Sequence, residues 1–127
     1  ELKWSSDYEE QKRLIGANST TDGAYNTAKV KAVSGWQSKY PAFKWCAELG
    51  EGWYLPSKEE LRIIYKNKDK LNSKLTDKLH NSFYWSSTEE NKQYYGCLCA
   101  WYVDMYNGNT FDNNKYYYNY VRAVSAF

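Results

Sequence analysis

A chain of 127 residues holds one domain with a real core, and 25% charged plus 19% aromatic residues exclude a disordered tail. The formal charge of +2 is near balance, and the densest basic run, Lys66-Asn67-Lys68-Asp69-Lys70, is diluted by its Asp, so nucleic-acid binding is not indicated. No apolar run approaches the length of a membrane span, which argues against direct membrane insertion. The three cysteines, Cys46, Cys97 and Cys99, are too few and odd in number for a disulfide framework. Cys97 and Cys99 would share one face of a strand, yet a metal site needs two more good ligands and the single histidine, His80, lies in a polar stretch. No metal and no cofactor are expected. The chain opens on Glu1-Leu2-Lys3-Trp4 with no initiating Met and no leader pattern, and reads as a processed protein or as the C-terminal domain of a longer one.

Arg13-Leu14-Ile15-Gly16-Ala17 reads as a short strand, closed by Asn18-Ser19-Thr20-Thr21-Asp22-Gly23. That run is turn chemistry: Asx and Ser/Thr side chains bond nearby backbone, and Gly permits positive φ. A helix is predicted from Asn26-Thr27 through Ala28, Val30, Ala32 and Val33. Gly35 weakens it, and Pro41 separates it from a second helical piece over 42–49, where Ala42, Cys46 and Leu49 fall at helical spacing. Trp53-Tyr54-Leu55 is a short extended segment stopped by Pro56. Ser57-Lys58-Glu59-Glu60 is a capping box, and Leu61, Ile64 and Tyr65 share a face of the helix it starts. Its two glutamates suit the dipole of a first turn, so they read as structural and not as a catalytic pair. Leu71, Leu75 and Leu79, at i, i+4 and i+8, predict a further short helix. His80 has no nucleophile with an acidic partner around it and reads as a surface residue.

The last third, from Phe83 to Phe127, organises the rest. Tyr84-Trp85-Ser86-Ser87 reads as a strand. In 99–106 the alternation places Cys99, Trp101, Val103 and Met105 on a core face, and Ala100, Tyr102, Asp104 and Tyr106 toward a partner or solvent. Asn107-Gly108 is a hairpin signal. The return and its loop run from Phe111 to Tyr120, and a closing strand from Tyr120 to Phe127. Between Tyr94 and Tyr120 lie eight of the fourteen tyrosines, interleaved with asparagines. Tyrosine gives large amphipathic contact at low entropic cost, and Asn, Ser and Gly add adaptable hydrogen bonds, which is the chemistry of an antibody-like paratope. A tyrosine-rich sheet with polar turns has the same composition, because tyrosine also favours strands.

Several separated motifs, in order, resemble the Lcl C-terminal domain family. They are Asp22-Gly23 with Asn26-Thr27, Gly52-Trp53-Tyr54-Leu55-Pro56-Ser57 with Glu60-Leu61, Tyr84-Trp85-Ser86-Ser87-Thr88-Glu89, Ala100-Trp101-Tyr102-Val103 with Gly108, and Val121-Arg122-Ala123-Val124. The resemblance runs from about Gly16 onward. It implies an α+β, C-type lectin-like fold with two main helices packed on small mixed antiparallel sheets, termini close together, over one domain spanning 1–127. Some such domains resemble the targets of diversity-generating retroelements, in which Asn codons become codons with any first and second base and a pyrimidine third. Tyr94, Tyr95, Gly96, Cys97, Leu98 and Cys99 are all reachable in that way, as are Tyr106, Asn107, residues 109–114 and residues 116–120. A variable region at about 91–120 is therefore implied, with Trp101, Met105, Lys115 and Val121-Arg122-Ala123 as scaffold. The sugar- and calcium-binding tripeptides of true C-type lectins are absent, and Cys97 and Cys99 do not match the cysteine pair of the formylglycine-generating relatives. Neither chemistry is carried over.

The leading expectation is a ligand-binding display domain for adhesion or receptor recognition on a bacterial surface or a phage virion, outside the cell in either case. Its partner would be an unidentified protein or glycan on a cell or host surface, contacted through Tyr94, Tyr95, Cys97, Cys99, Tyr106, Asn107, Asn109, Phe111, Asp112, Asn113, Tyr116, Tyr117, Tyr118, Asn119 and Tyr120. Two or three of these tyrosines should dominate the energetics. The rival is a lectin-like adhesin of fixed specificity, since sugars also stack on aromatic faces and bond to amides. An enzyme is not expected, because no acid/base or nucleophile constellation can be assigned.

Overall fold

Two nine-residue helices and three small antiparallel sheets form the frame of the chain, whose computed structural model describes residues 1–94 and 96–125. In chain order the elements are β1 (Leu2–Lys3), α1 (Tyr8–Gln11), α2 (Gly23–Lys31), α3 (Trp36–Lys39), α4 (Pro41–Ala47), β2 (Trp53–Tyr54), α5 (Lys58–Lys66) and α6 (Lys68–Asn72). Then follow β3 (Phe83–Tyr94), β4 (Cys97–Asp104), β5 (Thr110–Asn114), β6 (Tyr118–Asn119) and β7 (Val124–Ser125). The largest sheet has the order β3-β4-β5, while β1 pairs with β6 and β2 with β7. The architecture is α+β. Among the described residues the one parallel pairing is an isolated bridge between Tyr84 and Tyr120.

Local chemistry sets the helix starts. The Asp22 carboxylate accepts from the Tyr25 amide, so α2 begins at Gly23 and not at Asn26 as predicted. Asn26 instead lies buried inside the helix, where its amide accepts from Ser19 N and donates to Ser19 O and Ser87 Oγ. Pro41 sits at the first position of α4, where a missing amide hydrogen costs nothing. The capping box at the start of α5 forms as predicted: Ser57 Oγ accepts from Glu60 N, and Glu60 Oε1 accepts from Ser57 N at 2.8 Å. Glu60 also reaches across to α2. Its Oε1 accepts from Gly23 N at 2.9 Å and its Oε2 from the Tyr54 hydroxyl at 3.1 Å.

Three predicted elements differ. Residues 13–17 are not a strand: the Ile15 and Gly16 amides donate to the Glu89 carboxylate and not to a backbone ladder, and Glu89 N of β3 donates a single bond to Ala17 O. The helix expected over Leu71 to Leu79 ends at Asn72, whose side chain accepts from Leu79 N and folds the 73–79 segment back. Of the closing strand expected over 120–127, the described residues form only β7, since Tyr120 is bridged to Tyr84 and 121–123 run irregularly; 126 and 127 lie outside the described residues.

Two apolar clusters lie on the two faces of β3 and β4. Trp4, Tyr40 and Phe43 pack edge-on beside Trp85 and Ala100, while Leu61, Leu79, Tyr84, Val103 and Met105 form the second cluster. Val103 and Met105 point inward as the alternation predicts. Ala100, assigned to the outer face, is buried too, because Trp4, Phe43 and Trp85 fill the space on its side. Trp101 is only half-buried and lies beneath the Lys58 ammonium, 3.8 Å from the ring centre. The deepest polar feature is an ion pair between Lys115 Nζ and Glu89 Oε2 at 2.6 Å, with both side chains sealed from solvent. Lys115 also donates to Arg13 O and faces the Trp4 ring.

All three cysteines are free and buried. Burial pushes the Cys46 thiol up from 9.0 to about 12 and the Cys99 thiol up to about 11. Folded-state values above the unfolded one mean that the folded chain keeps protons the unfolded chain has lost. This contribution is complete below pH 9.0 and disappears as pH rises through about 11 to 12. Native thiols are expected to ignore a thiol reagent at about pH 8 and to react in denaturant. The fall of unfolding free energy above pH 9.0 should be shallower in Cys46→Ala; identical slopes would contradict this assignment.

Candidate functional site: an aromatic strip across the largest sheet

Antiparallel register decides which side chains meet. β4 sets Tyr102 between Trp85 on β3 and Phe111 on β5, with Phe83 opposite Asp104 one pair further along. Paired residues point to the same side of a sheet, so Phe83, Tyr102 and Phe111 form one strip over three strands. The Phe83 and Tyr102 rings are 5.1 Å apart, and those of Tyr102 and Phe111 are 5.7 Å apart. Trp85 meets Tyr102 edge-on from the core side. Phe83 and Phe111 are each 44% exposed, so the strip is a solvent-facing platform on a packed base. Burial, with Asp104 and Asp112 nearby, raises the Tyr102 pKa and keeps its hydroxyl neutral.

One end of the strip is the β4–β5 hairpin tip. Asp104 accepts from Tyr106 N, Asn107 Oδ1 from Asn109 N, and the Gly108 amide donates to Asp104 O at 2.7 Å. Gly108 supplies the turn's positive φ of 80°. Lys68 clamps the tip from α6, donating to Met105 O and Asn81 Oδ1. Tyr106, Asn107 and Asn109 are thereby exposed on fixed backbone, Tyr106 most of all.

Toward the other end of β4 and β5 lie Tyr94, Asp112, Asn113, Tyr116 and Tyr117, with Asp112 and Tyr94 on the face opposite the strip. Buried Asn114 is its organiser, donating to Tyr94 O and to the Tyr116 hydroxyl, both at 2.9 Å. Lys92 lies 3.6 Å from the Asp112 carboxylate and above the Tyr94 ring, and Tyr116 stacks on Tyr117. Eight residues of β4 at about 3.3 Å each separate the two ends. Register also divides them between faces: Asp112 pairs with Trp101 and Tyr94 with Cys97, on the side opposite Tyr102 and Phe111, so the expected contact residues do not make one continuous surface.

Several expected contacts are elsewhere. Cys97 and Cys99 are buried, the Cys99 thiol pointing at Asn114 Oδ1, so neither can touch an external ligand. Asn119 is buried because β6 pairs with β1 and turns alternate side chains inward. Tyr118, its neighbour, faces out under Lys3. Tyr120 is only half-buried, wedged between His80 and Tyr84, and works as packing for the second cluster. Tyr95 lies outside the described residues. Phe83 and Tyr102, the other two rings of the strip, are not among the expected contacts, although the alternation puts Tyr102 on the partner-facing side. The alternation in Phe83-Tyr84-Trp85, run against that of β4, is the signal that places Phe83 there.

The recurrent motifs sit where the frame is tightest. Asp22-Gly23 opens α2, 52–57 lead through β2 into the α5 capping box, Tyr84 to Glu89 lie in β3, and 121–124 lead into β7. A model of the Lcl C-terminal domain matches residues 1–125. The chain belongs to the Lcl C-terminal domain family. Nothing matches among curated proteins or among solved structures. The match reaches further toward the start than the motifs do, and packing explains it. In this Lcl C-terminal domain Trp4 is fully buried and donates its indole hydrogen to Ser86 O, while β1 holds β6. Among the described residues no three His, Cys, Asp or Glu side chains are placed to hold a metal ion, and no helix is long and apolar enough to cross a membrane.

Proposed function

We propose that this Lcl C-terminal domain is a ligand-binding display domain, with the Phe83-Tyr102-Phe111 strip as its recognition centre and the hairpin tip as a polar flank. The observation that carries this reading is the strip itself, three touching aromatic rings held by strand register and left open to solvent. Aromatic anchors on rigid backbone contribute most of the energy in interfaces of this kind. A C-type lectin-like fold agrees with two main helices beside small antiparallel sheets and with β1 and β2 paired to strands near the other end. Diversification by a retroelement is the proposed origin of the surface's composition. Supporting it, the outward residues Tyr94, Tyr106, Asn107, Asn109, Phe111, Tyr117 and Tyr118 all belong to the reachable codon set. Cys97, Cys99 and Asn119 would then be variable positions that folding has turned inward. Display on a bacterial surface or a virion, with a protein or glycan partner, follows from the same family resemblance.

The test is a glycan and cell-surface protein array probed with wild-type protein and with the Phe83→Ser/Phe111→Ser double variant. Binding that wild type shows should fall by about tenfold or more in the variant, which should keep its melting profile. Hits that survive both substitutions would place recognition elsewhere. The coding DNA separates the two origins: a nearby template repeat differing from codons 94–120 at adenines supports diversification. Its absence leaves an adhesin of fixed specificity.

A further inference from the structure

A second surface has nothing to do with the strip. Between α4, α5 and the 71–79 segment lies an open groove of about 340 Å³, lined by Trp45, Leu49, Trp53, Leu71 and Leu75 and floored by Ile64 and Val124. Trp45, Leu49, Trp53 and Leu71 are each at least a third exposed, although each is large and apolar. Isolated exposed apolar residues are ordinary, but four converging on one concave site mark a binding surface. The volume falls at the lower end of the range of small-molecule sites, about 300 to 1,000 Å³.

The charge in the groove identifies the class of occupant. Among the described residues Arg122 is its single charged lining residue, with a side chain only 22% exposed. Its Nη2 donates to Asp77 O at 2.9 Å and, more weakly, to Lys78 O. Among the described residues the nearest carboxylate oxygen, on 88% exposed Asp77, is 3.9 Å away, too far and too screened to satisfy the cation. Nε and Nη1 have no hydrogen-bond partner among the described residues. A partly desolvated guanidinium with open donors beside an apolar trough matches a carboxylate head on an apolar body.

We propose that this groove binds a small amphipathic anion, an aliphatic or aromatic carboxylate whose body fills the trough and whose head group pairs with Arg122. Calorimetric titration with decanoate, below its micelle concentration, tests it. Wild type should take up decanoate saturably at one site, and decyltrimethylammonium, with the same chain and opposite charge, about tenfold or more weakly. Arg122→Gln should weaken decanoate by a similar factor. Since Arg122 also ties down the 77–78 backbone, Leu49→Glu provides a second variant: Leu49 is half exposed, so its replacement should leave the melting profile intact while abolishing uptake. No saturable uptake, equal binding of anion and cation, or full decanoate affinity in folded Leu49→Glu would each overturn the proposal.

Discussion

Replacing Lys115 by methionine is expected to remove about 3–5 kcal/mol of stability, a large part of what a domain of this size possesses. The Glu89 carboxylate is completely buried and has three partners: the Ile15 and Gly16 amides at 2.9 Å and Lys115 Nζ at 2.6 Å. Burial holds the Lys115 pKa below its usual value while Glu89 pushes it back up, so the pair is stable only as a pair. Without the ammonium, the carboxylate is a buried charge with two neutral donors, and Arg13 O loses its donor as well. Glu89→Gln combined with Lys115→Met should recover part of the loss, because a neutral amide carries no charge to desolvate. Recovery will be partial, since the amide nitrogen then faces one of the two backbone donors. Chemical denaturation of the wild type, both single variants and the double variant measures the coupling directly. A single-variant loss under about 1 kcal/mol would mean that water reaches Glu89 and that the clasp is ornamental.

Gly23→Ala should be nearly as damaging, by about 1–3 kcal/mol from overpacking alone. A Cβ at this position would lie 2.5 Å from Leu55 O, 2.6 Å from Glu60 Oε1 and 2.8 Å from Ser57 N. Two of those atoms are backbone, so no side-chain rotation relieves the clash. The third is the carboxylate that closes the α5 capping box and also binds the Gly23 amide. Forcing α2 away from α5 therefore breaks the box as well as the packing. Alanine normally favours a helix over glycine, so a propensity argument predicts the opposite sign. Thermal denaturation of Gly23→Ala decides between the two, and a raised midpoint would refute the close approach.

Features governed by near neighbours were legible from the residues, and those governed by distant partners were not. The capping box at Ser57 needs four consecutive residues and forms as read. The Asn107-Gly108 turn is equally local, and Gly108 has the positive φ that the motif requires. The run 18–23 predicts a turn ending at Gly23, whereas Gly23 begins a helix and is small because α5 passes close by. Leu71, Leu75 and Leu79 keep helical spacing although only Leu71 lies in a helix, since they serve one wall of a groove after the chain folds back at Asn72. Glu89 stood out only as the end of a motif, because its partners at 15, 16 and 115 are far away in the chain. For the proposed site, composition singled out a segment, but tyrosine and asparagine look alike whether they face in or out. Only pairing with β1 shows that Tyr118 is outside and Asn119 inside.

The pairings of β1 with β6 and of β2 with β7 have a kinetic consequence. Leu2 meets Asn119 and Trp53 meets Ser125, so each small sheet closes only when a late strand returns to an early one. Closing the larger of these loops costs roughly 2 kcal/mol more chain entropy than closing a ten-residue hairpin, and such topologies fold slowly. During synthesis the first strands emerge from the ribosome long before their partners exist. Trp4, Trp85 and the rest of the first cluster must then wait, sticky and uncovered, for the C-terminal segment. Every substitution between β4 and β7 is thus judged twice, first by whether the chain can shut and only afterwards by what the finished surface holds.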